Sequence, residues 1–467
     1  MNPSDLVITG VGTVSSIGIG RDAFAESLLC GRSGLMRMED VDTLSDEQKA
    51  MDYVVRRYRY VDGEVRLDLR TAVTAPIVDF DAKQFVKPRK ALKVMCREIQ
   101  TGYAASQLAV SDAGLDRYLP AELDAEPDYR RGGKIASDRI GTIFGSEMLY
   151  GPPAELSDAF AACIDQDGNV DTTPFGAAAM RGITPLWMLK YLPNMPACHY
   201  GIVVNAHGPN NTITVGDTSG PAALIEGCGY LRRDLADVVI VAAVGSRLNA
   251  TRALFTEDQP LASVCNPIAW ASRPHAKNAD GLVRGEAAGS LVIETRDSAQ
   301  QRDRTPIAHV CGAASRFIPS ISFKTDQRTA EIRPDAGRGS TAAIAAAIDG
   351  AMRQAGITAD QIGAIVGHAF GDPIIDACER EAIHQIAPDV PVTFPAGLIG
   401  HTSAASGMMV LLAACVCVHT KQIPPVPHAS LCEEELNVSD QARGLGKPYV
   451  IAIAHTSPGN ATAIVLK

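Results

Sequence analysis

AAIDGAMRQAGITADQIGAIVGH, residues 346–368, carries the reading of the fold. Apolar residues recur at helical spacing up to an Ala-Gly pair, a short polar link follows, and an apolar run of strand length begins with Ile-Gly. The same order occurs earlier as AASQLAVSDAGL (104–115), a polar stretch, and IGTIFGS (140–146). A second match follows in each copy. GDTS (216–219) precedes one alanine-rich helix and GHTS (400–403) precedes another, and the strands DVVIVAAVG (237–245) and YVIAIAH (449–455) come next. Three matches in one order point to two homologous halves meeting near residue 270, not to a short-period array. The competing explanation is chance similarity between alanine-rich α/β segments. On this alignment Asp217 and His401 are equivalent, each at the start of a helix. A pseudo-twofold packing would face them into one cavity, with helix N-termini directing unpaired N–H groups there.

The alternation of helix and strand signals along all 467 residues argues for an α/β protein. LVITGVG (6–12) and GSLVIE (289–294) read as further buried strands, and 91–115 as a helix ended by Gly114. Hydrophobic residues make up 46% and charged residues 21%, enough for a large core. The net charge of -10 argues against a nucleic-acid partner. Two basic stretches, 56–59 and 87–90, could dock an acidic partner; solvated faces are the plainer reading. The 11 cysteines are scattered without paired spacing, as expected of reduced thiols in a cytoplasmic protein with no disulfide framework or zinc site. No signal peptide is evident. The apolar run 403–418 is shorter than the ~20 residues of a membrane helix and reads as a buried helix.

Three constellations could carry chemistry: GHAFGDPIIDACERE (367–381) with His368 ending a strand, GHTSAASG (400–407) with His401 at a helix start, and GDTSGPAALIEG (216–227) with Asp217. Two histidines placed at element ends by one fold suit acid–base work better than a lone histidine does.

These segments resemble the β-ketoacyl-acyl-carrier-protein synthases. VITGVGTVSSIG (7–18) is similar to their opening strand and turn, and RPHAKNADGLVRGEAAGSLVIE (273–294) to their Asp-Gly…Gly-Glu-Gly-Ala-Gly segment. GHAFGDPIIDACE resembles their first histidine motif, with His368, Pro373 and Asp376 in register. GHTSAASG resembles the second, and GPNNTITVGDTSG (208–220) the segment around the nucleophile. The resemblance runs from about Leu6 to Lys467. It implies a thiolase-like fold, with two duplicated halves packed as a five-layer αβαβα sandwich. Residues 1–270 would carry the nucleophile position and 271–467 both histidine motifs. It also implies an acyltransferase that condenses an acyl with a malonyl thioester on acyl carrier protein. No metal or organic cofactor is implied, and the fold is expected to dimerise, with itself or with an active synthase.

The departures are as informative. Asp217 stands where the family has its cysteine. Attack by a carboxylate on a thioester would give a mixed anhydride, which hydrolyses readily. Three roles stay open for Asp217: a helix N-cap worth on the order of 1 kcal/mol, a binding or acid–base group, and a nucleophile. The family lysine before the second histidine is Ala396 here, so the site is expected to be markedly more anionic and less welcoming to a malonyl carboxylate. HTSPGN (455–460) replaces a glycine-rich loop that supplies an oxyanion N–H, for which Thr456 is a substitute. Cys228 reads as core, and His207, in NAHG (205–208), as a decoy. Segment 40–74 reads as a cap or dimer-facing insertion.

The resemblance thus leaves three functions: a synthase homologue acting as partner subunit in fatty-acid or polyketide type biosynthesis, an altered acyltransferase or decarboxylase using His368 and His401, and a non-catalytic acyl- or carrier-binding module.

Overall fold

The computed structural model describes residues 5–37, 59–61, 64–66, 73–119, 135–183, 186–249, 251–252, 259–263, 266–320 and 338–467. Of the segment 40–74, a short hairpin (Arg59–Val61 with Glu64–Arg66) and the start of Val73–Ala75 are described; the remainder of that predicted insertion lies outside the described residues.

The first half builds a sheet from β1 (Leu6–Ser15), β2 (Ile140–Gly145), β3 (Asn210–Ile213), β4 (Val238–Ser246) and β5 (Arg284–Thr295). The second half uses β6 (Ala308–Phe317), β7 (Ile362–Val366), β8 (Val392–Thr393), β9 (Tyr449–His455) and β10 (Asn460–Leu466). The orders are β3-β2-β4-β5-β1 and β8-β7-β9-β10-β6. Sense matches as well as order: the first two pairings in each sheet are parallel and the last two antiparallel. The two sheets touch through a short antiparallel pairing, Val7 with His309 and Ile8 with Ala308. They part between Thr295 and Ala308, later than the residue-270 division read from the sequence. The reason is that β5 runs in register along β1 from Ser15 to Leu6, so 284–295 sits in the first sheet.

Helices α1 (Arg97–Asp112) and α2 (Met195–Val203) cover the outer face of the first sheet, and α4 (Thr341–Ala355) and α5 (Pro373–Ile386) that of the second. Between the sheets lie α3 (Ser219–Arg232) and α6 (Ser406–Thr420). The result is the five-layer αβαβα sandwich of the thiolase-like fold. Three cores fill the spaces between the layers. Leu224, Val241, Leu291, Met408, Leu412 and Ile464 fill the central one. Ile99, Tyr103, Phe144 and Ile240 fill one flank, and Ile344, Ile348, Ile365 and Ile451 the other.

Local chemistry explains these elements. α6 is apolar all round, as a helix buried on every side must be. The segment Ser403–Thr420 is long and apolar enough to cross a membrane, yet 89% of it is buried inside the protein. α4 starts at Ser340, whose hydroxyl accepts from the Ala343 N–H, and ends at left-handed Gly356. α1 is shorter than the sequence suggests, because residues 89–94 form a 3-10 turn before it. β1 needs Gly10 and Gly12: a Cβ on either would lie 2.1 or 2.0 Å from a carbonyl oxygen of α1.

Candidate active site

The site forms where five segments meet: those after β2, β4 and β7, and the turns before the two central helices. Each central helix is preceded by a 3-10 turn, Gly216–Thr218 before α3 and Ser403–Ala405 before α6. Each turn opens on a left-handed residue, Gly216 at φ 62° and Ser403 at φ 58°. By this register Asp217 matches Ala404, and His401 precedes its counterpart by three residues. The alignment of GDTS with GHTS was therefore out of step by three. The two side chains converge for a different reason. The His401 backbone is tied to the start of β5: its N–H donates to Val283 O (2.8 Å) and its carbonyl accepts from the Gly285 N–H (3.0 Å).

Asp217 Oδ2 lies 3.0 Å from His401 Nε2 and 3.9 Å from His368 Nε2. The N-cap reading of Asp217 does not hold, because α3 has Thr218 at its N-cap and receives no side-chain capping bond. His401 Nδ1 accepts two hydrogen bonds, from Arg247 Nε (2.6 Å) and from the Ser403 N–H (3.2 Å). A ring nitrogen that accepts from both carries no proton, so the proton of neutral His401 sits on Nε2 and is donated to Asp217. Burial first, then the Arg247 charge, hold His401 below its ordinary pKa against the pull of Asp217. Burial alone would raise the Asp217 carboxyl, but His401, His368 and Arg247 outweigh it and hold the group ionised.

Arg247 also corrects the expectation of a markedly anionic site. A buried guanidinium from the end of β4 supplies the positive charge that Ala396 does not. Behind it, Glu147 receives Ser403 Oγ (2.7 Å) and pairs with Arg252 (2.6 Å), which fixes the turn that holds His401.

His368 follows β7 and is buried, and neither of its ring nitrogens has a hydrogen-bond partner among the described residues. Burial, opposed by Asp217 and assisted by His455 and His401, takes its pKa down to about 3, so the ring is neutral. Its backbone is set by two carboxylates one turn apart on α5. Glu379 accepts from the N–H groups of His368 (2.8 Å) and Ala369 (3.2 Å), and Asp376 from those of Phe370 (3.1 Å) and Gly371 (2.9 Å). Glu379 also meets His455 Nε2 at 2.8 Å and His275 Nε2 at 3.2 Å, and the His455 ring stands edge-on to His368, centroids 5.0 Å apart.

Sequence reasoning missed Arg247, Glu379 and His455 as members of this site. The Asp376/Glu379 spacing of three, which puts both on one helix face, was a usable signal. Other expectations fared differently. Cys228 is buried in the central core and His207 is exposed on its loop, away from the histidines. Thr456 does not offer its N–H to the site: it closes the β9–β10 hairpin by donating to Asn460 O (2.9 Å). Lys87, Arg89 and Lys90 are all exposed.

One atom each from Asp217, His368 and His401 lies within 4.8 Å of the others, the donor set of many metal centres. The set does not fit a metal. A ligating imidazole presents a lone pair to the ion and donates its outer N–H to an acceptor, whereas the outer nitrogen of His401 accepts from Arg247 and its inner one bears the proton. The cavity touching His368 and His401 is about 10 Å³ and is walled by Phe370, Ile399, Met409 and Val410. That is room for about one water molecule.

A buried carboxylate and two histidines thus meet at the N-terminal turn of a central helix in a thiolase-like sandwich. The family model of the beta-ketoacyl synthase N-terminal domain matches residues 4–299, and that of the C-terminal domain residues 320–430. The chain belongs to the beta-ketoacyl synthase family. It is 28% identical to the ketoacyl synthase alpha subunit of the tetracenomycin polyketide synthase of Streptomyces glaucescens, over 99% of this chain and 96% of that one. It is 26% identical to 3-oxoacyl-[acyl-carrier-protein] synthase 2 of Synechocystis sp., over 96% and 93%. Among solved structures it resembles the ishigamide ketosynthase/chain length factor, with a TM-score of 0.73, 20% identity and coverage of 99% and 98%. A type II polyketide synthase acyl-carrier protein in complex with its ketosynthase gives 0.72, with 17% identity and full coverage of both chains.

Proposed function

We propose that this chain is a non-condensing ketosynthase homologue that serves as the partner subunit of a cysteine-bearing synthase, on carrier-bound intermediates of fatty-acid or polyketide type biosynthesis. The observation that carries the reading is the placement of Asp217. Its Oδ2 lies 3.0 Å from His401 Nε2, at the position that the family resemblance gives to the acyl-accepting cysteine. Acylating Asp217 would break that contact and give an anhydride.

The surface supports a partner. Of the thirteen large apolar side chains that stand exposed among the described residues, ten lie between Met148 and Val215. Three of them, Ile202 and Val203 on α2 and Val215, flank β3, the free edge of the first sheet. Apolar surface beside an open edge strand is what association covers. The tetracenomycin relative is named as one subunit of a synthase, and the ishigamide structure as a ketosynthase with a chain length factor. The exposed Lys87, Arg89 and Lys90 suit the acidic acyl carrier protein.

Affinity purification of the tagged chain from its own host tests this. Recovery with an equal amount of a cysteine-bearing synthase supports the reading, and recovery of this chain alone counts against it. A second reading, turnover of a malonyl thioester by His368 and His401, is favoured by the unpartnered ring of His368. Unchanged malonyl-carrier turnover in His368→Ala would remove it.

A further inference from the structure

We propose that Arg247 is the positioning residue of this site: its Nε–H, delivered into Nδ1 of His401, locks the imidazole as the Nε2–H tautomer, and the pocket so formed is a carboxylate subsite that the chain fills with its own Asp217.

Arg247 Nε to His401 Nδ1 is 2.6 Å, a short contact between two buried groups. A guanidinium does not give up its proton, so the bond has one sense, and His401 must accept. The other nitrogen then holds the only ring proton, and Asp217 Oδ2 is placed 3.0 Å from it. The Ser403 N–H reinforces the same tautomer from a left-handed residue, at 3.2 Å. The groups acting on His401 come from every side: Asp217 from the turn before α3, His368 from the end of β7, Arg247 from the end of β4 and Glu147 from the end of β2. Of these groups Asp217 and Glu147 are acidic, and Glu147 is already held by Arg252 and Ser403. A carboxylate at the Asp217 position thus meets a fixed donor with a permanent cation behind it.

Asp217 is anchored there from its backbone. A Cβ on Gly407, at the start of α6, would stand 2.5 Å from the Asp217 carbonyl oxygen, so the two central helices close on this residue. The proposal rests on the partner-subunit reading only in treating Asp217 as a resident carboxylate. Its test uses the isolated full-length chain, so a missing partner subunit and a wrong tautomer would be told apart.

The test is long-range proton–nitrogen spectroscopy on the chain with labelled histidines, His401 being assigned by its loss in His401→Gln. The expected wild-type signature is a neutral ring, protonated on Nε2 only, unchanged from about pH 5.5 to 8. In Arg247→Met the ring is expected to lose the single-tautomer signature or to take a second proton near neutrality beside Asp217. Arg247→Lys keeps the charge without the aimed Nε–H and is expected to shift the tautomer too; it also serves if the methionine variant does not fold. A ring protonated on Nδ1 in the wild type, or one unaltered in both variants, overturns the proposal. A second arm uses acetate as the probe. Asp217→Ala is expected to bind acetate with a saturable shift of the His401 signal. Adding Arg247→Met should weaken that binding roughly tenfold or more, the scale of one charge-assisted hydrogen bond. The wild type should show no saturable shift. Acetate binding to the wild type as tight as to the variant, or indifferent to Arg247, would sink it.

Discussion

His368 and its neighbours make the site's stability depend on acid. His368 is held neutral, its pKa lowered from 6.5 to about 3, and His428 likewise to about 4. The unfolded chain protonates both below 6.5 while the folded one does not, so stability is full above that pH and falls as pH drops toward 4. Each such histidine contributes a slope of about 1.4 kcal/mol per pH unit. Asp217 and Glu379, held below their ordinary values, add loss in the same direction at lower pH. Urea titrations between pH 7 and 4.5 should show this slope, and His368→Asn should flatten it by about one histidine's share. An unchanged slope would mean that the ring is protonated in the fold. At this scale the sequence made three residues legible: Asp217, His368 and His401 all end or begin elements, and all three meet. Arg247 and His455 were not legible, because a hydrogen bond between residues 154 or 76 positions apart leaves no local pattern.

The central helices α3 and α6 are the elements that decide whether the site is open. They touch where side chains are missing: a Cβ on Gly220 would lie 2.9 Å from Met408 Cβ, and one on Gly407 would meet the Asp217 carbonyl. Gly407→Ala is expected to cost about 1–3 kcal/mol by overpacking and to displace Asp217. Chemical denaturation would measure the first effect and the His401–Asp217 proton signal the second. A fully stable variant with an unaltered signal would show that the helices can part. The duplication was legible because the helix-to-strand order is repeated. The step of three between Asp217 and His401 was not, since GDTS and GHTS share letters while the turns before the helices begin at Gly216 and Ser403. Nor was the boundary: β5 belongs to the first sheet by pairing, which periodicity does not reveal.

For the whole molecule, the apolar surface from Met148 to Val215 predicts association. Met180 and Ile202 are 85% and 78% exposed, so a glutamate at either should leave the fold intact. In sedimentation velocity the wild-type chain should run as a dimer or with a second synthase, and Met180→Glu with Ile202→Glu should shift it toward monomer. A chain that stays monomeric both alone and with a cysteine-bearing synthase would place this surface outside any interface. A non-condensing subunit must fail to condense when it is pure. Acyl-carrier and malonyl-carrier mixed with it, and followed by intact mass of protein and product, answer that most directly. The prediction is no 3-oxoacyl product and no acyl adduct on the chain. A 3-oxoacyl product, or an acyl mass located on Asp217, would contradict it.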